Sequence, residues 1–265
     1  MAGEQAALRT AREIAADIAA GRDFRLFAAL DPTEGDPATM EHAYAVQDAL
    51  TGLRGGAAAV GGYKLAFNSA ASRVYYQLTE GCIAPIHARD IRQVGATLRL
   101  EHFHSLVIEP EICLELGQDL DHRPGLTRAE AMAAVSAIRP AIEVMDHRGA
   151  LALDPSAAQA VAQGIYAAGA VLGPPVSPDL LAARHGITTR LTVAGAEAGA
   201  RLDGAPQDPA EALVWAVAAL ARRGLRLRAG MILMCGTHLP VCPVTLPGAV
   251  AADMGLLGSV GFFVV

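Results

Sequence analysis

Glu109 and Glu111 interrupt the apolar run at 105–116, Ser-Leu-Val-Ile-Glu-Pro-Glu-Ile-Cys-Leu-Glu-Leu. Side chains of a β-strand alternate between faces, so the two glutamates share one side with Cys113 and Glu115 while Ile108, Ile112, Leu114 and Leu116 take the other. Adjacent carboxylates on an apolar support repel each other and lose hydration; they persist there with shared protons, basic partners or a metal ion. An antiparallel strand with a solvated acidic face is the competing reading.

A third carboxylate, Glu143, is flanked on both sides by apolar residues in Pro140-Ala-Ile-Glu-Val-Met145. Three carboxylates from two adjacent strands make an all-oxygen ligand set, which hard cations such as Mg²⁺ or Mn²⁺ prefer. The alternative for Glu143 is an ion pair with Arg139 or Arg148. Lys64 stands inside the apolar run 63–67, where a lysine either snorkels to water or points into an acidic pocket. In the pocket its ammonium would offset charge, hold a substrate carboxylate or move protons. Asp146 and His147 read as turn residues or outer partners, and His102 and His104 as solvent-facing loop residues.

Apolar spacing predicts an amphipathic helix over 5–20 and a second from Asp36-Pro37 to Gly55-Gly56. These form a helical N-terminal layer over 1–60, ahead of a catalytic unit over 61–265. Within that unit the residues predict strands over 96–100 and 105–116. A capping box, Thr127 to Glu130, starts a helix that ends before Pro140, and 141–146 is a short buried strand. A helix-like segment opens at Asp154-Pro155 and is interrupted by Gly164 and Gly169. Strand 188–193, a helix from Asp208-Pro209 to Arg223, and strands 231–234 and 258–265 complete a single α+β unit.

With 52% hydrophobic and 18% charged residues in 265, the chain has the composition of a folded protein with a sizeable core. A net charge of −6 with scattered lysine and arginine offers no footprint for nucleic acid. Cys82, Cys113, Cys235 and Cys242 show neither zinc spacing nor a disulfide framework, which fits a reduced cytoplasm. No window approaches the ~18 apolar residues that span a bilayer, so no membrane partner is expected.

Several motifs together resemble a known family. Ala43-Tyr44-Ala45-Val46-Gln47 is similar to an A-Y-x-[VI]-Q helix, Gly62-Tyr63-Lys64-Leu65 to a G-[WY]-K-[IL] segment, Glu109-Pro110-Glu111 to an E-P-E strand and Pro140-Ala141-Ile142-Glu143 to P-A-[IL]-E. Val171-Leu172-Gly173 matches a V-L-G turn, Cys235-Gly236-Thr237 stands for T-G-[ST], and 248–258 resembles the closing glycine-rich stretch. The order and spacing resemble the 2-keto-4-pentenoate hydratase and 2-oxohept-3-ene-1,7-dioate hydratase branch of the fumarylacetoacetate hydrolase superfamily, which also contains 4-oxalocrotonate decarboxylase.

The resemblance implies a fumarylacetoacetase C-terminal-like mixed β-sandwich or roll with flanking helices. It also implies Mg²⁺ or Mn²⁺ on Glu109, Glu111 and Glu143, Lys64 in the catalytic position, and a homo-oligomer. The implied activity is addition of water to a 2-hydroxy-dienoate or its 2-oxo-enoate tautomer in aromatic-compound catabolism, with Thr237 and the Gly164 backbone binding this small 2-oxo acid. The alternatives are decarboxylation of a vinylogous 2-oxo acid, cleavage of an acylpyruvate, and a catalytically silent metal- or ligand-binding protein. Gln163-Gly164 replaces the A-D-N or A-A-N segment of close relatives, and Gly248-Ala249 replaces Gly-Asp, so the substrate is the open question.

Overall fold

The computed structural model describes residues 2–31, 37–183 and 185–265. Its elements, in chain order, are α1 (Ala2–Ala19), α2 (Pro37–Leu53), β1 (Val60–Ala66), α3 (Ala70–Tyr75), β2 (Cys82–His87), β3 (Ile91–Gln93), β4 (Thr97–Leu98), β5 (Leu106–Leu116) and α4 (Arg128–Met132). There follow β6 (Val135–Asp146), α5 (Ala157–Ala162), β7 (Ala167–Leu172), β8 (Thr188–Val193), β9 (Ala196–Leu202), α6 (Pro209–Ala221), β10 (Ile232–Thr237), β11 (Cys242–Pro243), β12 (Gly248–Asp253) and β13 (Ser259–Val264). This is the expected α+β class with mixed sheets and flanking helices.

The larger sheet runs β2-β1-β10-β5-β6-β7-β3, with β11 continuing the ladder on β5, and the smaller runs β4-β13-β12-β8-β9. β3 follows β2 closely in the chain yet pairs in parallel with β7 at the far end of the sheet, so the larger sheet curls into a roll. Its interior is lined by Ile86, Cys113, Ala141, Ala170, Leu172, Ile232 and Met234. Outside the roll, the Ile112, Leu114 and Leu116 face of β5 packs on Leu213, Ala216, Val217 and Leu220 of α6. Ile108, Ile142 and Val144 instead meet Val250, Val260 and Phe262 of the smaller sheet. The period-two alternation expected over 105–116 therefore holds, with both faces buried.

Two prolines lie inside central strands, where a missing N–H ordinarily breaks a ladder. Pro110 stands just past the end of β10 at Thr237, where its carbonyl accepts from His238 N at 2.9 Å. Pro140 faces the end of β7, where its carbonyl accepts from Gly173 N at 2.8 Å. Each missing donor thus falls at the end of the neighbouring strand.

The capping box at Thr127 and Glu130 is present, but the helix it starts stops at Met132 instead of continuing towards Pro140. Val135 to Asp146 pairs along β5 from Leu116 to Leu106, and that long cross-strand ladder overrides the local helix signal. After Asp154-Pro155 the helix is only six residues, capped by Ser156. Where a turn was expected at Val171-Leu172, β7 forms, and Gly169 is needed because a Cβ there would lie 2.2 Å from the Asp90 carbonyl. Strands β2, β9 and β12 were not anticipated, since Pro85 and short alanine- and glycine-rich runs mask their alternation. Asp36, the expected cap of α2, lies outside the described residues.

The helical layer attaches through Ile14, Val46 and Leu50 to Cys82, Ala84, Val161 and Ile165. Gln47, fully buried in this contact, donates to Ile83 O (3.2 Å) and Val161 O (2.9 Å) and accepts from Arg223 (2.9 Å). Gln47→Leu strands these partners and is expected to lower unfolding free energy by about 1–3 kcal/mol in urea titrations; an effect below about 0.5 kcal/mol, typical of a surface change, would contradict the role.

Candidate functional site

Lys64 on β1 and Glu143 on β6 are three strand steps apart, about 14 Å on a flat sheet. The curl of the sheet closes that gap, and Lys64 Nζ lies 2.6 Å from Glu143 Oε1. The same ammonium also lies 3.4 Å from Met145 Sδ, a weak acceptor. Lys64, Glu111 and Glu143 are fully buried, and Glu109 keeps part of its surface open to solvent. Snorkelling of Lys64 and a solvated acidic face are both excluded by this packing. Arg139 and Arg148, the alternative partners of Glu143, are used elsewhere: Arg139 pairs with Glu115 at 2.6 Å at the opposite end of the roll, and Arg148 donates to Gln163.

One oxygen each of Glu109, Glu111 and Glu143 lie within 4.8 Å of one another. Register explains the approach, because Glu109 pairs directly with Glu143, and Glu111 follows two residues along the same face. Glu111 Oε2 accepts from Gly236 N at 2.7 Å. Asn68, which the sequence reading overlooked, holds that loop by donating to Cys235 O at 3.0 Å. Gly236 has φ +107, and a Cβ there would meet Asn68 Oδ1 at 2.7 Å, so glycine is required where the backbone presents its N–H.

Burial pushes the Glu109 carboxyl up to about 8, with repulsion from Glu143 adding and Lys64 opposing. Glu111 is held well above the usual carboxylate range by burial and then by Glu143 and Glu109, against the Gly236 N–H and Lys64. Burial also raises Glu143, although Lys64 pulls it down. Fully ionised, three carboxylates and one ammonium carry two uncompensated negative charges, which a divalent cation would cancel. Glu111 Oε1 and Glu143 Oε2 are buried without hydrogen-bond partners, and Glu143 Oε1 meets only the Lys64 ammonium. Buried acceptors are rarely left so, and an all-oxygen set of this kind fits Mg²⁺ or Mn²⁺.

The remaining residues singled out in the sequence are placed differently. Thr237 stands opposite Glu111 in the β10–β5 register, but its hydroxyl donates to Leu239 O at 2.5 Å and accepts from Leu239 N at 3.3 Å, which leaves it one lone pair. Gly164 lines a cavity of about 510 Å³ whose walls include none of the four charged residues. Gln163, in place of the relatives' asparagine, is tied to Arg148 Nη2 (2.6 Å) and Arg25 O (2.9 Å). Asp146 is the last residue of β6 and not a turn residue; its carboxylate accepts from the backbone of His104, Ser105 and Arg148. His102 and His104 are exposed. Among the described residues, the histidine ion pair is that of His104 with Asp23, at 2.7 Å, and no histidine–glutamate pair stands by the carboxylates.

The sequence pattern described as "Fumarylacetoacetate (FAA) hydrolase C-terminal" matches residues 66–255. The chain is 30% identical over 138 residues to a 2-hydroxyhexa-2,4-dienoate hydratase of Comamonas testosteroni, a match that spans 51% of each protein. It is 28% identical over 234 residues to a 4-oxalocrotonate decarboxylase of Pseudomonas sp, covering 87% of this chain and 89% of the relative. Among solved structures, 4-oxalocrotonate decarboxylase from Pseudomonas putida G7, complexed with magnesium and adipate, superposes with a TM-score of 0.85 over 98% of both chains at 19% identity. That likeness establishes a common fold.

Metal-free protein holds protons on these carboxyls that the unfolded chain, with groups near 4.5, releases. The site's contribution to stability is therefore expected to fall as pH rises from about 4.5 through about 8. Added Mn²⁺ should raise the melting temperature by thermal denaturation, more at pH 8 than at pH 5.5. Equal shifts at both pH values, or full retention of the shift in Glu143→Gln, would place the ion elsewhere.

Proposed function

Because the chain belongs to the fumarylacetoacetate hydrolase family, we propose that it is a divalent-cation-dependent hydratase of a 2-hydroxy-dienoate, giving a 4-hydroxy-2-oxo acid. The observation that carries this reading is the buried carboxylate trio with an ammonium 2.6 Å from one of its members. Glu109, Glu111 and Glu143 hold Mg²⁺ or Mn²⁺, and the bound cation supplies positive charge against a developing enolate at C2 of the substrate. Glu109, the partly exposed member, marks the side from which a small 2-oxo acid enters.

Lys64 Nζ has the position for proton transfer, since it sits at the carboxylates, inside the roll, with its stem buried. Protonation of the dienol at C5, with loss of the 2-hydroxyl proton, gives a 2-oxo-3-enoate. Water then adds its hydroxyl to C4 and a proton to C3. Lys64 relays these protons, and the apolar interior around Cys113, Ala141 and Met234 excludes bulk water from the enolate. Thr237, paired with Glu111 in the strand register and with one hydroxyl lone pair left after its two contacts to Leu239, positions the attacking water as acceptor.

Decarboxylation of a vinylogous 2-oxo acid is the second reading, favoured by the nearly full-length match to a decarboxylase. Loss of CO₂ pushes electrons onto the same C2 oxygen and draws on the same charge. Among the described residues no histidine–glutamate pair stands by the carboxylates, which weighs against an acylpyruvate hydrolase. The proposal extends to a homo-oligomer in the reduced cytoplasm: all four cysteines are free, no described helix is long and apolar enough to cross a membrane, and Val74, Leu246 and Phe263 are exposed.

With Mn²⁺ and 2-hydroxypenta-2,4-dienoate, dienol absorbance is expected to disappear as a 4-hydroxy-2-oxo acid accumulates without CO₂. Release of CO₂ from a 2-oxo-3-enedioate with no hydration of the dienoate would select the decarboxylase instead. Lys64→Met should reduce turnover by about a hundredfold or more while Mn²⁺ binding is retained. Light scattering on the eluted protein should give a multiple of 27.4 kDa; a single-chain mass would remove the oligomer from the proposal.

A further inference from the structure

Outside the roll, β2 and β7 run alongside each other without pairing, and Gln47, Leu50 and Thr51 of α2 border the cavity beside them. Ile86 faces the interior, so its neighbour His87 points outward, into the wall of the 510 Å³ cavity that also holds Gly164. Among the described residues, five arginines and two aspartates line that cavity, with no lysine or glutamate, and one of the arginines, Arg99, pairs with Glu101 at 2.7 Å. One aspartate, Asp146, is occupied by three backbone N–H groups. The other, Asp90, is shared at 3.7 and 3.8 Å between Arg54 and Arg89, too far for either to form a hydrogen bond.

Arg54 is consequently a partly buried guanidinium with no hydrogen bond to Asp90, and burial lowers its pKa, with Asp90 opposing and Arg89 adding. His87 is buried with Nδ1 unpartnered. Burial, with Arg54 adding, pushes its pKa down to about 4, so the ring is neutral near pH 7 and leaves the guanidinium groups as the cavity's charge. Arg148, also buried, extends the cationic wall. Leu50 and Phe103 give the same space an apolar side.

We propose that this cavity is a second ligand site, separate from the carboxylate trio, that binds a small organic dicarboxylate through Arg54 and His87 with its carbon chain against Leu50 and Phe103. Guanidinium groups bind carboxylates by paired, charge-assisted hydrogen bonds, and the volume lies within the range of small-molecule sites, larger than a lone inorganic anion fills. None of the four charged residues of the acidic site contributes to its wall, so occupancy does not depend on the metal.

Calorimetric titration of the full chain in EDTA with glutarate is the test, with inorganic phosphate as the competing probe. One saturable event is expected, weakened about tenfold or more in Arg54→Met and clearly in His87→Leu, and unchanged in Glu143→Gln. Absence of saturable glutarate binding, tighter binding of phosphate, or loss in Glu143→Gln with retention in Arg54→Met would each overturn the proposal. Should the two cavity variants not fold, a crystal structure of unaltered protein grown with glutarate decides, because the ligand must then lie against Arg54 and His87.

Discussion

An excess of buried negative charge governs this molecule. Three carboxylates converge where water is scarce, and the structure answers them with one ammonium, one backbone N–H and space for a cation. Each answer depends on the larger sheet being strongly curled. In a flat sheet Lys64 and Glu143 would face the same way but never meet, and the interior would be a surface. Curling turns one strand face into a lined chamber, with Arg139 and Glu115 closing the far end and the carboxylates near the open one. Chemistry and fold therefore share a single constraint, the radius of that curl.

Much of this was legible in the sequence because carboxylates in an apolar, alternating run violate the usual pattern of a strand. Glu109, Glu111, Glu143 and Lys64 were identified as residues needing an explanation, and the structure brings all four together. The alternation on β5 could be read residue by residue because it depends on local geometry alone. Helix α6 was legible for the same reason, with Asp208 as its cap, Pro209 in its first turn and Gly224 just beyond its end.

What escaped notice depended on partners distant in the chain. The capping box at Thr127 is a true local signal, yet β6 begins three residues after its helix ends because β5 offers a ladder that sequence alone does not display. Asn68 and Gly236 are separated by more than 160 residues, and their joint support of Glu111 exists only after β1 and β10 have paired. Thr237 was noticed as a hydroxyl near the site, but the use of its proton by Leu239 depends on a local turn. Gln163 replaces an asparagine only in sequence; in space its amide spans Arg148 and Arg25, joining the start of the helical layer to the roll.

Pro110 and Pro140 have a consequence for assembly of the sheet. A slip of one residue between β5 and β6 would exchange the two faces, carrying glutamates outward into apolar packing and isoleucines into the chamber. It would also move each proline from the end of its neighbouring strand to a rung that demands a donor. Misregistered pairings are thus penalised twice, by charge and by a missing hydrogen bond. The proline between Glu109 and Glu111 acts as an alignment key, because a one-residue slip that parts the acids also costs the backbone a hydrogen bond.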